Sequence, residues 1–415
     1  MTSNDSRYTI PAATAIAVGM LLSLSGALAF GRAPVSDITV TTPADVLDAN
    51  GGDCGSMAPD DLLGGDGVVS LREAICAANN SPGEDIVSLP GGVYTLTIHG
   101  KDEDGSASGD LDITDDLIVI GAGAAETIID GDGADRVLHI DPSGTGTVGV
   151  RLEGITIRNG DSGAAPGGGV YNRGRLVLAR SRVLSNTVDA SDPGAFGGGG
   201  LFSDGTLRLT DSEVCGNVVV GGTGGGLETS GSATLDGATI SSNEALAAGN
   251  GDVVGGGIAN WGAITLTSCA VLQNSAAEAG GGLYTGNAVS DARAVVTGTV
   301  FEGNSAGSGG GAIEGASVLD VQRSTILSNT ARDSGGGVRL CPQGGDTISA
   351  TISGTAIRDN SAGARGARPP CTSGGSSDFP VCCTLEVRCA PGRLPAGPSA
   401  GWPASRSTNG KRINE

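Results

Sequence analysis

The sequence predicts an all-β protein that folds as a right-handed parallel β-helix, and two repeated features carry this prediction. A glycine triplet, an apolar residue, a short apolar strand and an asparagine recur seven times between Gly167 and Asn360. The position three residues before each asparagine is always Val, Ile or Phe. A unit repeated with fixed internal offsets is typical of a solenoid. The asparagines are Asn186, Asn217, Asn243, Asn274, Asn304, Asn329 and Asn360.

Spacing within each repeat indicates strands that stack on one another. Apolar residues ten, eight, five and three positions before the asparagine alternate with period two around a turn. Parallel strands usually need a helical crossover, and these repeats have no room for one. The chain can therefore bury its strands by coiling, with the right-handed chirality that crossovers prefer. In four repeats the third glycine lies 17 residues before its asparagine, namely Gly169, Gly200, Gly226 and Gly257.

The repeated polar and small residues have structural roles in this interpretation. Asparagines stacked at the strand spacing of about 4.8 Å can form a hydrogen-bonded ladder, and glycines permit tight corners. The pattern resembles the repeats of polymorphic outer membrane proteins, which pair a Gly-Gly-Ala-apolar element with Phe-x-x-Asn. Phe301 to Asn304 matches the second element literally, whereas the other repeats carry Val or Ile in place of Phe. The resemblance implies display at the cell surface or outer membrane.

The first 29 residues read as a secretory signal peptide. Ile10 to Phe30 is almost wholly apolar or small, and Ala27-Leu28-Ala29 provides a cleavage site. An uncleaved membrane anchor is the alternative, because the apolar run is about long enough to span a bilayer. We favour cleavage, and hence a secreted or surface-exposed chain without an integral membrane domain in its mature form. The mass of the exported chain tests this, since cleavage predicts a start at Phe30.

Composition agrees with export and excludes some partners. The net charge is -21, aromatic residues make up 3% of the chain, and 74 residues are glycine. Such an acidic chain would repel nucleic acids and anionic lipid heads. We therefore expect no nucleic-acid partner.

Residues 37–85 differ from the repeats and read as an N-terminal cap module. Ser70 and Glu73 form a capping box ahead of a short amphipathic helix. A cap protects the open end of a solenoid. Ser70 to Ala74 resembles the exported-protein module named after its Cys-Ser-Leu-Arg-Glu-Ala motif (CSLREA), with Val69 in place of the leading cysteine. Cys54 can instead pair with Cys76 as a disulfide in an oxidising compartment.

The remaining chain divides into the β-helix proper and a tail. Residues 86–363 carry irregular early rungs followed by the seven regular repeats. Residues 364–415 lose the pattern and contain four cysteines, with Arg and Pro. Either this is an irregular tail, or the reading frame has shifted and the original C-terminus is lost.

Candidate site residues are few. The alternating aspartates Asp130, Asp132 and Asp135 resemble a calcium loop, although we favour a solvated turn because the EF-hand pattern is incomplete. His99 and His139 lie in early rungs without an evident nucleophile. Charged strand residues such as Glu228 stand alone. Four aromatic residues follow glycine triplets and either pack the corners, which we favour, or form a sugar-stacking stripe: Tyr171, Phe202, Trp261 and Tyr284.

The sequence therefore predicts a secreted or cell-surface β-helix of adhesin-like or structural role, which binds a cell-surface or polysaccharide ligand without catalysis. The alternative is a carbohydrate-active enzyme of pectate-lyase-like fold, either a polysaccharide lyase or a glycoside hydrolase. Fold alone does not decide between them. An acid or base cluster on adjacent rungs would favour the enzyme.

Overall fold

The computed structural model describes residues 34–101, 103–191, 197–248, 252–286, 292–340, 349–363 and 383–384. The predicted signal peptide, residues 1–29, lies outside the described residues. So does almost all of the predicted tail, residues 364–415. Both therefore stay predictions.

The described chain is an all-β parallel β-helix, as the sequence predicts. Each turn passes through four parallel sheets, which we number 1 to 4 in the order in which the chain enters them after a glycine triplet. Within the described residues these sheets contain nine, twelve, ten and seven strands. Every strand pairs with its equivalent one turn away, because a strand this short can bury its apolar face only by stacking.

Sheets 1 and 2 follow the glycine triplet. The described strands of sheet 1 are Leu111–Ile113, Leu138–Ile140, Val170–Asn172, Leu201–Ser203, Leu227–Thr229, Ile258–Asn260, Leu283–Thr285, Ile313–Gly315 and Val338–Leu340. The described strands of sheet 2 are Pro34–Thr39, Glu84–Leu89, Leu117–Gly121, Gly149–Glu153, Arg175–Ala179, Thr206–Thr210, Ser232–Asp236, Ala263–Thr267, Arg293–Thr297, Val318–Gln322, Ala350–Ser353 and the antiparallel Cys383–Thr384.

Sheets 3 and 4 flank the asparagine. The described strands of sheet 3 are Gly92–Thr95, Thr127–Asp130, Thr156–Arg158, Arg182–Leu184, Glu213–Cys215, Thr239–Ser241, Ala270–Leu272, Val300–Glu302, Thr325–Leu327 and Ala356–Arg358. The described strands of sheet 4 are Thr187–Asp189, Val218–Val220, Glu244–Leu246, Ser275–Ala276, Ser305–Ala306, Thr330–Ala331 and Ser361–Ala362.

The predicted apolar columns form the interior. Ile240 is fully buried and pairs with Val214 on one neighbouring strand and with Val271 on the other. One continuous apolar cluster extends from Ile38 to Leu340. Burial of this stacked surface stabilises the coil, at roughly 25 cal/mol for each Å² removed from water.

The predicted asparagine ladder is present. The Asn243 amide nitrogen donates to Oδ1 of Asn274 at 2.9 Å and to the carbonyl of Val214 at 3.0 Å. Its Oδ1 accepts from the backbone and side-chain nitrogens of Asn217, both at 3.0 Å. The buried amide is therefore fully satisfied, which a buried polar group requires. The ladder extends from Asn186 to Asn360.

The predicted cap helix is Leu71–Asn79, and three short 3-10 helices precede it: Ala49–Gly52, Cys54–Ser56 and Pro59–Asp61. Ser70 Oγ accepts from the Glu73 amide at 3.1 Å, and Glu73 accepts from the Ser70 amide at 3.0 Å. Burial alone would raise the pKa of Glu73, but amide donors outweigh it and lower that pKa. Within the described residues, none of the helices has the length and apolarity of a membrane span.

Candidate functional site

The outer column of sheet 1 carries the candidate site. In each strand the first residue points into the core, so the middle residue points outward. Strand pairing aligns these middle residues on successive turns. This outer column consists of Asp112, His139, Tyr171, Phe202, Glu228, Ala259, Tyr284, Glu314 and Arg339.

Much of the outer column is buried although it faces away from the core. The glycine that opens each triplet lies over it: a Cβ on Gly224 would lie 2.8 Å from that of Glu228, and one on Gly280 would lie 2.8 Å from that of Tyr284. Both glycines have positive φ, which turns the chain across the sheet. The corner segments thus exclude water from charged groups that would otherwise be solvated.

Three of these groups and their neighbours converge at the early rungs. His139 Nδ1 lies 3.3 Å from Oδ1 of the fully buried Asp112 and 3.6 Å from Oδ1 of Asp104. The imidazole stacks on the Tyr171 ring with centroids 4.8 Å apart and planes 7° apart. The Ser106 amide donates to Asp112 Oδ2 at 3.0 Å, which fixes the carboxylate and leaves Oδ1 facing His139.

A partly exposed polar group adjoins this cluster on the next rung. The Tyr171 hydroxyl donates to Oδ2 of Asp204 at 3.3 Å, and the Arg173 Nε lies 3.8 Å from the same oxygen. The Arg173 guanidinium also lies 5.8 Å from the Tyr171 ring centroid, and that of Arg136 lies 5.5 Å from it. Arg136 is itself paired with Asp110 at 2.8 Å. The tyrosine is therefore surrounded by cations on its ring and an acid at its hydroxyl.

Burial dominates the electrostatics of the cluster. It raises the pKa of Asp112, against amide donation from Ser106, and it raises that of Asp110, against the charge of Arg136. Burial, followed by the charge of Arg136, lowers the pKa of His139 to about 4, so the imidazole is neutral near pH 7. Burial, followed by the charge of Asp204, raises the pKa of Tyr171 to about 12. The tyrosine is therefore a neutral proton donor at neutral pH.

The cap helix positions the loop that carries the cluster. Arg72 is fully buried and binds Asp45 through Nε at 2.8 Å and through Nη2 at 3.2 Å. Its guanidinium also donates to the carbonyls of Ser106 at 3.0 Å and Gly109 at 2.9 Å. The arginine of the predicted cap motif thus supports residue 106, whose amide orients Asp112.

The predicted calcium residues lie on the adjacent corner. Asp130 accepts from Arg158 Nε at 2.7 Å and from Asn159 at 3.0 Å. Asp132 Oδ2 lies 3.1 Å from His99 Nε2, whereas Asp135 Oδ1 accepts from the Arg136 amide at 2.7 Å. The structure does not bring these three aspartates together as one ligand group, and calcium binding there stays a prediction.

The predicted disulfide residues and aromatic residues have defined places. Cys54 and Cys76 are joined as a disulfide with Cα atoms 5.0 Å apart, which holds the cap helix to the preceding loop. Trp261 and Tyr284 pack against Val254 and Ala279, the residues before two glycine triplets, which is the expected corner packing. Tyr171 remains half-buried and accessible.

The expectation that charged groups do not converge needs correction. His139 has acidic neighbours, and they belong to the preceding rung and its loop. Asp112 and His139 occupy the middle of two similar strands, Leu111–Ile113 and Leu138–Ile140. That shared apolar-polar-apolar pattern was the available signal.

No protein-family model and no curated protein matches this chain. Among solved structures it is similar to the pectate lyase Pel9A, with 13% identity over 81% of this chain and 80% of that chain and a TM-score of 0.43. It is also similar to the A-module of the mannuronan C-5 epimerase AlgE6 of Azotobacter vinelandii, with 15% identity over 76% of this chain and 94% of that chain and a TM-score of 0.31. The resemblances to CSLREA modules and polymorphic outer membrane proteins stay predictions.

Proposed function

We propose that this protein is an exported carbohydrate-active enzyme that cleaves an acidic polysaccharide by β-elimination at Tyr171. The observation that carries the proposal is the group of Tyr171, Arg173 and Asp204 on adjacent rungs, beside the buried cluster of Asp112 and His139. A purely structural surface has no need to gather a proton donor, an acid and a cation at one accessible place.

The substrate class follows from local charge. The chain as a whole is strongly acidic and would repel a polyanion. Arg173 nevertheless lies on the exposed side of Tyr171, with about a third of its side chain accessible. A guanidinium can bind a sugar carboxylate through two hydrogen bonds. A uronate-containing polymer therefore fits this part of the column better than a neutral glycan.

The chemistry needs one base and one acid. The Asp204 carboxylate takes the C5 proton, which is acidic because it lies α to the sugar carboxylate held by Arg173. The electron pair of that C–H bond forms the C4–C5 double bond, and the bond from C4 to the glycosidic oxygen breaks. That oxygen takes the Tyr171 hydroxyl proton. The hydrogen bond between the two side chains then lets the proton return from Asp204 to Tyr171.

The test uses the purified full-length chain with polygalacturonate, alginate and chondroitin sulfate as separate substrates. Unsaturated uronate ends, measured by ultraviolet absorbance, are the expected product. Tyr171→Phe removes only the hydroxyl and is expected to lower kcat by at least about 100-fold, the usual contribution of general acid catalysis. Tyr284→Phe, in the same column, is the matched control and retains activity.

Two results would count against the proposal. Full activity of Tyr171→Phe would remove the tyrosine from the mechanism. Absence of product from all three polymers with a folded protein would contradict catalysis, and retention on immobilised polysaccharide would then favour the adhesin-like alternative.

A further inference from the structure

We infer that Asp104, Asp112 and His139 form a binding site for a divalent transition-metal ion. The site goes beyond the proposed function and does not rest on it, because it is defined by ligand geometry and can be measured without substrate. Among the described residues, these three form the group of His, Cys, Asp or Glu whose ligand atoms all lie within 4.8 Å of one another.

The distances suit a common ion. Two atoms that each lie about 2.1 Å from one zinc ion are about 3.0 to 3.4 Å apart in tetrahedral or octahedral geometry. His139 Nδ1 and Asp112 Oδ1 are already 3.3 Å apart. Asp104 Oδ1 is 3.6 Å from the same nitrogen and belongs to an exposed loop, so a small side-chain movement completes the set.

The two buried atoms also lack other partners. In the described part of the chain, neither Asp112 Oδ1 nor His139 Nδ1 has a hydrogen-bond partner, although both side chains are at least nine-tenths buried. Leaving such atoms unpaired costs about 1 to 3 kcal/mol each. A cation between them would satisfy both, whereas the imidazole alone does not reach hydrogen-bond geometry with the carboxylate.

Neighbouring contacts hold both ligands in place. Asp112 is anchored through Oδ2 by the Ser106 amide, and its backbone carbonyl accepts from Asn79 at 2.7 Å. The parallel Tyr171 ring fixes the plane of His139. Such outer contacts are what a metal site uses to orient its ligands.

The donor set selects the kind of ion. One imidazole and two carboxylates suit Zn²⁺ or a similar first-row ion, whereas Ca²⁺ prefers six to eight oxygen ligands. The exposed Asp104 side leaves coordination positions open to solvent. The site therefore differs in both residues and ion from the calcium loop predicted at Asp130.

The experiment titrates the chelator-treated full-length protein with Zn²⁺ by calorimetry and with Co²⁺ by visible absorption, and Ca²⁺ serves as the competing ion. We expect one equivalent of Zn²⁺, a ligand-field band with Co²⁺, and no displacement by an equal concentration of Ca²⁺. His139→Gln should abolish binding. Asp104→Asn lies on the surface, so it tests the site without disturbing the core, and it should weaken binding by at least about tenfold. Asp132→Asn is the matched control and should bind as the wild type does.

Three outcomes would overturn the inference. These are absence of saturable one-equivalent binding by the folded wild type, wild-type affinity in both Asp104→Asn and His139→Gln, and loss of binding in Asp132→Asn. Each result is independent of polysaccharide cleavage, so failure of the metal site and failure of the proposed function are distinguishable.

Discussion

Gly226 packs directly on Asn243, the ladder residue of its own turn. A Cβ on Gly226 would lie 2.8 Å from the Asn243 Cγ and 2.7 Å from the Gly257 carbonyl oxygen. The 17-residue spacing between triplet and asparagine is therefore a contact across the interior. Gly200 has the same relation to Asn217.

This contact predicts opposite outcomes for two identical substitutions. Gly226→Ser should destabilise the protein by about 1 to 3 kcal/mol, because the added atoms meet backbone and a fixed amide. Gly216→Ser should be nearly neutral, since Ser185 and Ser242 occupy the equivalent left-handed position on neighbouring turns. Denaturant unfolding of both variants measures the difference. Equal losses would contradict the packing explanation.

Replacement of Ile240 by Asp should destabilise the β-helix by several kcal/mol. The side chain is fully buried between Val214 and Val271, so the charge would be unpaired. Ser241→Asp, one position away on the outward face, is the control and should cost little. An unchanged thermal transition in the Ile240 variant would reject this register.

The asparagine ladder should depend on its donors rather than on shape. Asn243→Asp keeps the size of the side chain but loses its donation to Asn274 and to the Val214 carbonyl. We expect a loss of several kcal/mol, because a buried charge also faces an acceptor. Asn360→Asp, at the half-exposed end of the ladder, should cost clearly less. Calorimetric melting compares the two, and similar losses would argue against a buried ladder.

Stability should fall as pH rises because of Glu228. Burial raises its pKa from 4.5 to about 7, while Thr223 donates to it at 2.7 Å. Below about pH 4.5 the carboxyl is protonated in both the folded and unfolded states, so its burial adds no ionic cost. Between that pH and about 7 the unfolded state ionises first, and the folded state loses up to about 3 kcal/mol.

Glu228→Gln should remove this loss, whereas the exposed control Glu244→Gln should retain it. The free energy of unfolding near pH 5 and near pH 8 measures the effect. An identical pH dependence in the wild type and Glu228→Gln would contradict it.

Arg72 should stabilise both the cap and the loop of the candidate site. Arg72→Met leaves the buried Asp45 carboxylate without its cation, so we expect a loss of about 3 to 5 kcal/mol. Faster hydrogen exchange in residues 103–110 should accompany it, because two carbonyls of this loop lose their donor. The partly exposed Arg151→Met is the control and should cost at most about 1 kcal/mol. Unaltered exchange in that loop would separate the cap from the site.

The sequence by itself determined the coil, its columns, the asparagine ladder and the capped helix at Ser70. These features repeat or are local, so strand period, glycine placement and a capping box specify them without knowledge of distant contacts. The fixed 17-residue offset was also visible, although its cause, the packing of Gly226 on Asn243, was not.

Only the tertiary structure decided the candidate site. Asp112 and His139 are 27 residues apart in the sequence, and Tyr171 follows 32 residues later. Loops of unequal length set which of these residues meet, and strand register then stacks them in one column. Their burial also depends on corner segments that cross the outer face of sheet 1. Alternating polar residues on a strand normally indicate a solvated face, and desolvation by another part of the chain leaves no local pattern in the sequence.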